Sequence, residues 1–152
     1  MQIADIDFCV PGDIDELYAI ECACFPSPWK RYLLENDLSE LGEVVYLKAL
    51  LNGVIVGYGV LGRNETESYL QNLAVSPEHR RLGIASQLML GFDGISAEWG
   101  CRRMRLEVRS SNTSARDFYA RIGFIYQSRS RGYYSNGEDA LILAARLPLK
   151  IK

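Results

Sequence analysis

The sequence predicts a mixed α/β (α+β) domain whose central sheet is mostly antiparallel and contains one parallel strand pair. Three features carry that expectation. Residues 43–61 hold two β-rich runs joined by Asn52-Gly53, a pair that tolerates positive φ and suits a tight hairpin. Ile84, Leu88, Phe92, Ile95 and Trp99 recur at helical spacing and trace an amphipathic helix over 82–99. The β-rich runs 68–75 and 103–108 flank that helix, and a helical crossover makes its two strands parallel neighbours.

Each element has its own signal. Residues 3–10 alternate loosely as a strand until Pro11-Gly12 breaks the run; Asp13, with Glu16 three residues on, then predicts a capped helix. Ile14, Leu17, Tyr18 and Ile20 gather on one face of that helix, which Pro26 and Pro28 stop, and a second short helix is expected over 30–39. After the hairpin, Asn64-Glu65-Thr66 turns the chain into the run 68–75, completing a three-stranded meander that Pro77 ends. Gly91 and Gly94 weaken the long helix for no reason visible in the sequence. Residues 103–108 read as a strand, 112–122 as a helix closed by Gly123, and two last β-rich runs surround the turn from Gly132 to Gly137. The predicted order is βααβββαβαββ.

With 152 residues, 48% of them apolar and 24% charged, the chain suits one domain over 1–152. A net charge of −2, with basic residues in pairs such as Arg80-Arg81 and Arg102-Arg103, argues against a direct nucleic-acid ligand. No apolar run reaches the ~18 residues of a membrane span, and the start MQIADIDFC lacks a signal-peptide pattern, so a cytoplasmic protein with no membrane partner is expected. Cys9, Cys22, Cys24 and Cys101 form no CxxC pair and His79 is the single histidine, so no metal is expected. Cys22 and Cys24 fall in an apolar helical pattern and are predicted to fill space as reduced thiols.

Arg80, Arg81, Leu82, Gly83, Ile84, Ala85 and Ser86 lie between a strand and the first turn of the long helix. Unpaired N–H groups, the positive helix end, two guanidinium groups and a glycine that lets the backbone come close suit a phosphate. The plainer reading is a solvated arginine pair and a permissive loop glycine. The string is neither GxxxxGK[ST] nor GxGxxG.

Arg80-x-x-Gly83-x-Ala85, preceded by Leu73-Ala74-Val75-Ser76-Pro77, resembles the Q/R-x-x-G-x-G/A signature of the GNAT acetyltransferases. The resemblance implies a GNAT-like sheet with helices on both faces and a splayed parallel strand pair. It implies that acetyl-coenzyme A is held by the backbone of Leu73, Ala74 and Val75 and by the loop from Arg80 to Ser86. The segment from Leu106 to Phe124 is similar to the LEVR-x-SN-x-x-A-x-x-x-Y-x-x-x-GF string of RimI-type members, which acetylate the N-terminal alanine of a ribosomal protein such as S18. Tyr133 to Ala140 and Phe25-Pro26-Ser27-Pro28-Trp29 resemble that subfamily too.

Residue by residue, the resemblance implies that Glu107 is the general base, that Tyr119 is the general acid, that Asn112 touches the pantetheine chain, and that Trp29 and Tyr134 line the peptide site. The chemistry has a use for such a pair. An α-amino group with a pKa near ~8 is mostly protonated at neutral pH and must lose a proton to attack a thioester. Backbone N–H groups stabilise the oxyanion, and the thiolate leaves with a proton. Without the resemblance, Glu107 reads as part of a solvated strand face with Arg105 and Arg109, Tyr119 as core, Asn112 as an ordinary helix cap, Trp29 as an anchor for its own loop, and His79 as a surface residue. The expected acceptor is a protein N-terminus; a small amine, or no turnover at all in a coenzyme A-binding module, are the alternatives.

Overall fold

A computed structural model describes residues 2–39 and 44–151. The elements are β1 (Asp5–Phe8), α1 (Ile14–Cys24), α2 (Arg31–Ser39), β2 (Val45–Leu51), β3 (Val54–Arg63), β4 (Glu67–Val75), α3 (Ile84–Glu98), β5 (Arg103–Arg109), α4 (Thr113–Arg121), β6 (Ile125–Ser130) and β7 (Ala140–Arg146). Their order is the one the sequence predicts; the expected start of the hairpin at Glu43 lies outside the described residues. The strands form one sheet in the order β1-β2-β3-β4-β5-β7-β6. Two compact units divide the chain, Met1–Gly62 with Asn72–Phe92, and Arg63–Gln71 with Asp93–Lys152, and β4 belongs in part to each.

In the first unit, β1 pairs antiparallel with β2 from Asp5↔Leu50 to Phe8↔Leu47, and β2 with β3 from Val45↔Leu61 to Leu51↔Val54. Asn52 (φ 52°) and Gly53 (φ 79°) both take the left-handed conformation that a two-residue hairpin turn requires. Strand alternation then sorts the faces. Tyr46, Tyr58 and Val60 pack with Leu17 and Ile20 of α1 and Leu34 of α2. Leu47, the next residue of β2, points the other way, towards α3. A Cβ on Gly91 would lie 2.8 Å from Leu47 Cδ1, so this helical glycine lets α3 approach the sheet. Gly94 has open space around it and nothing in the structure explains it.

The structure departs from two expectations. Asp13 does not cap α1 with its side chain. Pro11 starts a 3-10 turn, Pro11–Asp13, that runs straight into the helix. The Asp13 carboxylate instead accepts the Val10 N–H at 2.9 Å and the Lys48 ammonium at 2.7 Å. Cys22 is exposed and fills no space, because the buried side of α1 is Leu17, Ile20 and Glu21. Cys24 is half-buried and its thiol donates to the Val75 carbonyl at 3.2 Å. All four cysteines are free thiols.

In the second unit, β4 and β5 form the parallel pair, from Glu67↔Arg103 to Leu70↔Leu106. That ladder ends at Leu70↔Leu106, although β4 goes on to Val75 and β5 to Arg109. β7 pairs antiparallel with both β5 and β6. The turn into β4 closes on Asn64 Oδ1, which accepts the N–H groups of Thr66 and Glu67. α4 is capped by Asn112, whose Oδ1 accepts the Ala115 N–H at 3.2 Å, and it ends at Gly123 (φ 109°). The plainer reading of Asn112 therefore holds.

Candidate active site

The first unit holds the loop that the sequence assigns to phosphate. β4 hands over to it at Ser76, whose N–H donates to Val56 O at 2.8 Å. Arg81 (φ 63°) and Gly83 (φ 81°) are both left-handed, a conformation that a non-glycine residue keeps only where its surroundings impose it. α3 begins at Ile84, later than the predicted 82, and its first turn is closed by Gln87 N–H to Gly83 O at 3.2 Å. Among the described residues, the N–H groups of Ile84, Ala85 and Ser86 have no hydrogen-bond partner, so the helix presents three free donors beside Gly83. Such a loop fits the pyrophosphate of coenzyme A.

What fixes the loop was not visible in the sequence. Gln87 accepts the Ala4 N–H at 2.9 Å and donates to Gln2 O at 2.6 Å and Gly83 O at 3.1 Å, while Gln2 N–H donates to Leu82 O at 2.9 Å. The N-terminal segment thus staples the loop to the helix. Arg80 is turned back along β4, with its Nε donating to Val75 O at 3.2 Å, and Arg81 is exposed. Leu73 and Val75 are half-buried and Ala74 is buried. His79 is half-buried and its Nδ1 has no hydrogen-bond partner.

This unit also holds a polar cluster that sequence reasoning missed. Glu21 is 1% exposed. Its Oε1 accepts the Tyr58 hydroxyl at 2.6 Å and Asn72 Nδ2 at 2.7 Å, and its Oε2 accepts the Trp29 N–H at 2.8 Å. The signal was present: Glu21 is the one charged residue in the stripe Leu17, Ile20, Glu21, Cys24.

The second unit holds the predicted proton-transfer residues. Burial alternates along β5, so Glu107 emerges between buried Leu106 and Val108. Its Oε1 accepts the Tyr69 hydroxyl at 2.5 Å. Burial, and then this hydrogen bond, push the Tyr69 pKa above the ordinary phenol range. Glu107 likewise raises the pKa of the exposed Tyr133 hydroxyl. Tyr134, raised chiefly by burial, lies under the Arg109 guanidinium, 3.9 Å from its ring centre. Arg109 is held in turn by Glu138 at 3.2 Å, and Glu138 accepts the Ser111 N–H at 2.8 Å. The Ser111 hydrogen bonds, and then Arg109, hold Glu138 below the usual carboxylate range. Tyr119 is buried, with its ring 5.4 Å from Phe118 and 5.5 Å from Phe124, and burial alone raises its pKa.

The structure therefore brings Glu107 together with Tyr69, Tyr133, Tyr134 and Arg109 in one unit, and the loop from Arg80 to Ser86 together with Leu73–Val75 in the other. Tyr69 escaped sequence reasoning because its partner lies on another strand. Only the parallel register, which sets Tyr69 opposite Arg105, places its hydroxyl within reach of Glu107.

Known proteins repeat both the sequence pattern and the fold. A [ribosomal protein bS18]-alanine N-acetyltransferase of Haemophilus influenzae is 32% identical over 149 residues, 95% of this chain and 98% of that protein. An N-alpha-acetyltransferase of Sulfurisphaera tokodaii is 29% identical over 89% of this chain and 88% of its own length. The crystal structure of the ribosomal-protein-S18-alanine N-acetyltransferase from Escherichia coli superposes with a TM-score of 0.86 at 26% identity, covering 95% of this chain and 94% of that one. Residues 14–124, which span the arginine-glycine loop, Glu107 and Tyr119, match the acetyltransferase (GNAT) family model, and the chain belongs to that family.

Proposed function

We propose that this chain transfers the acetyl group of acetyl-coenzyme A to the α-amino group of a protein N-terminus, with the N-terminal alanine of a ribosomal protein as its acceptor in the cytoplasm. The observation that carries this reading is the oriented carboxylate of Glu107 on β5, in a chain whose relatives over nearly its full length are N-terminal acetyltransferases.

Acetyl-coenzyme A supplies an activated thioester. The backbone of Leu73, Ala74 and Val75 holds its pantetheine arm. The N–H groups of Ile84, Ala85 and Ser86, with Leu82, Gly83, Arg80 and Arg81, hold its pyrophosphate, and Asn112 adds a contact through whatever its cap leaves free. Glu107 takes the proton of the acceptor ammonium. Tyr69 supports this role: its hydroxyl fixes one carboxylate oxygen without supplying a positive charge. Tyr119 gives a proton to the leaving group, since a phenol is protonated at neutral pH. Trp29 and Tyr134 flank the acceptor peptide. Direct attack needs only the two reactants held together, with no acetylated enzyme.

The test is coenzyme A release with a panel of N-terminal peptides, an N-terminally blocked lysine peptide and small amines. Release is expected with alanine-first peptides, and Glu107→Gln and Tyr119→Phe should each lower kcat by roughly 10²–10⁴-fold. Release with small amines alone, or full activity in either variant, overturns the reading.

A further inference from the structure

We infer that Glu21 is a positioning residue for the acceptor. Its buried carboxylate ties the backbone of the loop at Trp29 to β4 at Asn72, one residue before Leu73–Val75. The inference rests on the roles just proposed for Trp29 and for that strand.

A carboxylate 1% exposed on the apolar side of a helix is unfavourable unless donors compensate it. Among the described residues no lysine or arginine pairs with Glu21; three neutral donors hold it instead, from β3, β4 and the loop after α1. A leucine or methionine would pack against Leu17, Ile20 and Leu34 without that burden. It would also strand the Trp29 N–H. Tyr58 and Asn72 would keep each other, since Asn72 Nδ2 lies 3.0 Å from the Tyr58 hydroxyl. The part of the cluster that needs an acceptor at position 21 is therefore the loop.

That loop has little else to hold it. Pro26 and Pro28 have no N–H to give. The bond from Trp29 to Glu21 is the one described hydrogen bond in which the backbone of residues 26–30 is the donor. Glu21 sets where Trp29 sits relative to Asn72, and through it where an acceptor peptide lies relative to the strand that carries the cofactor.

Glu21→Met keeps the volume and removes the acceptor. Its KM for an alanine-first peptide should rise about tenfold, the effect of losing one hydrogen bond to a charged group, with the KM for acetyl-coenzyme A within about twofold of wild type. Its Tm should change little, because losing the desolvation cost of a buried carboxylate offsets the Trp29 N–H left without an acceptor. Glu21→Gln keeps an oxygen that can accept the Trp29 N–H and should recover most of the peptide KM. A peptide KM unchanged in Glu21→Met, or both KM values and the Tm worsening together, overturns the inference. Should Glu21→Met not fold, amide exchange of Trp29 in the wild type decides: protection is expected, and exchange at the rate of a free loop amide overturns it. A wild type that acetylates no peptide would instead sink the proposed function, which separates the two failures.

Discussion

A tyrosine that hands a proton to a leaving thiolate must keep that proton well above neutral pH. Tyr119 is 8% exposed between two phenylalanine rings, and burial raises its pKa above the ordinary value of about 10. Tyr46 and Tyr58, 4% and 0% exposed, are raised for the same leading reason. Each holds its proton more tightly folded than unfolded, so the stability of their neutral forms is complete below pH ~10 and is lost as the pH rises beyond it. The slope is ~1.4 kcal/mol per pH unit for one such group and about 4 kcal/mol for three. Against a stability of ~5–15 kcal/mol, the fold should fail roughly one to four pH units above 10. Tyrosinate absorbance followed beside circular dichroism reads this directly. Of the nine tyrosines, these three should stay protonated until the dichroism signal goes, and Tyr69, raised by burial and by its hydrogen bond to Glu107, should be delayed with them. In Tyr119→Phe one delayed group disappears, and the slope falls by ~1.4 kcal/mol per unit. Nine tyrosines ionising near pH 10 in folded protein would refute the burial argument.

Other perturbations test the packing and the loops around the site. A Cβ on Gly59 would sit 2.6 Å from Phe92 Cε2 and 3.1 Å from Asn72 O, so Gly59→Ala should cost about 1–3 kcal/mol in denaturant unfolding. Asn112→Ala removes the cap of α4 and should cost ~1 kcal/mol by the same measurement, with a rise in the KM for acetyl-coenzyme A if this residue also touches the cofactor. Hydrogen bonds hold Glu138 and Asp139 below their usual carboxylate range, so what they contribute is present above their unfolded values and lost as the pH falls. The protection of the Ser111 and Gly132 amides, which donate to these two carboxylates, measured against the exchange of a free amide at the same pH, should fall on acidification ahead of that of the sheet amides.

What the sequence revealed, and what it hid, divides by distance along the chain. The hairpin at Asn52-Gly53, the cap at Asn112 and the crossover between β4 and β5 each follow from a handful of neighbouring residues, and the structure has all three. Asp13 failed because two local signals competed, and the fixed φ of Pro11 outweighed the capping pattern two residues later. Gly91 was opaque because the constraint on it is set by Leu47, on a strand far away in sequence. At the site, Glu107 and Tyr119 could be picked out only through the family resemblance. By periodicity they read as strand face and core, and their burial agrees with those readings too.

The arginines that alternate with Glu107 bear on whether a carboxylate there can act as a base. A guanidinium paired with Glu107 would neutralise it and compete with the incoming ammonium. Both neighbours are engaged elsewhere. Arg105 reaches Glu67 at 3.9 Å and lies 5.8 Å from the centre of the Tyr69 ring, while Arg109 is held by Glu138 and stacks on Tyr134. Among the described residues no cation pairs with Glu107, whose hydrogen-bond donor is the neutral hydroxyl of Tyr69. The strand face that reads in sequence as merely solvated is thus sorted by its neighbours. Glu67 and Glu138 take the arginines, and the negative charge left at Glu107 can meet a positively charged amino terminus.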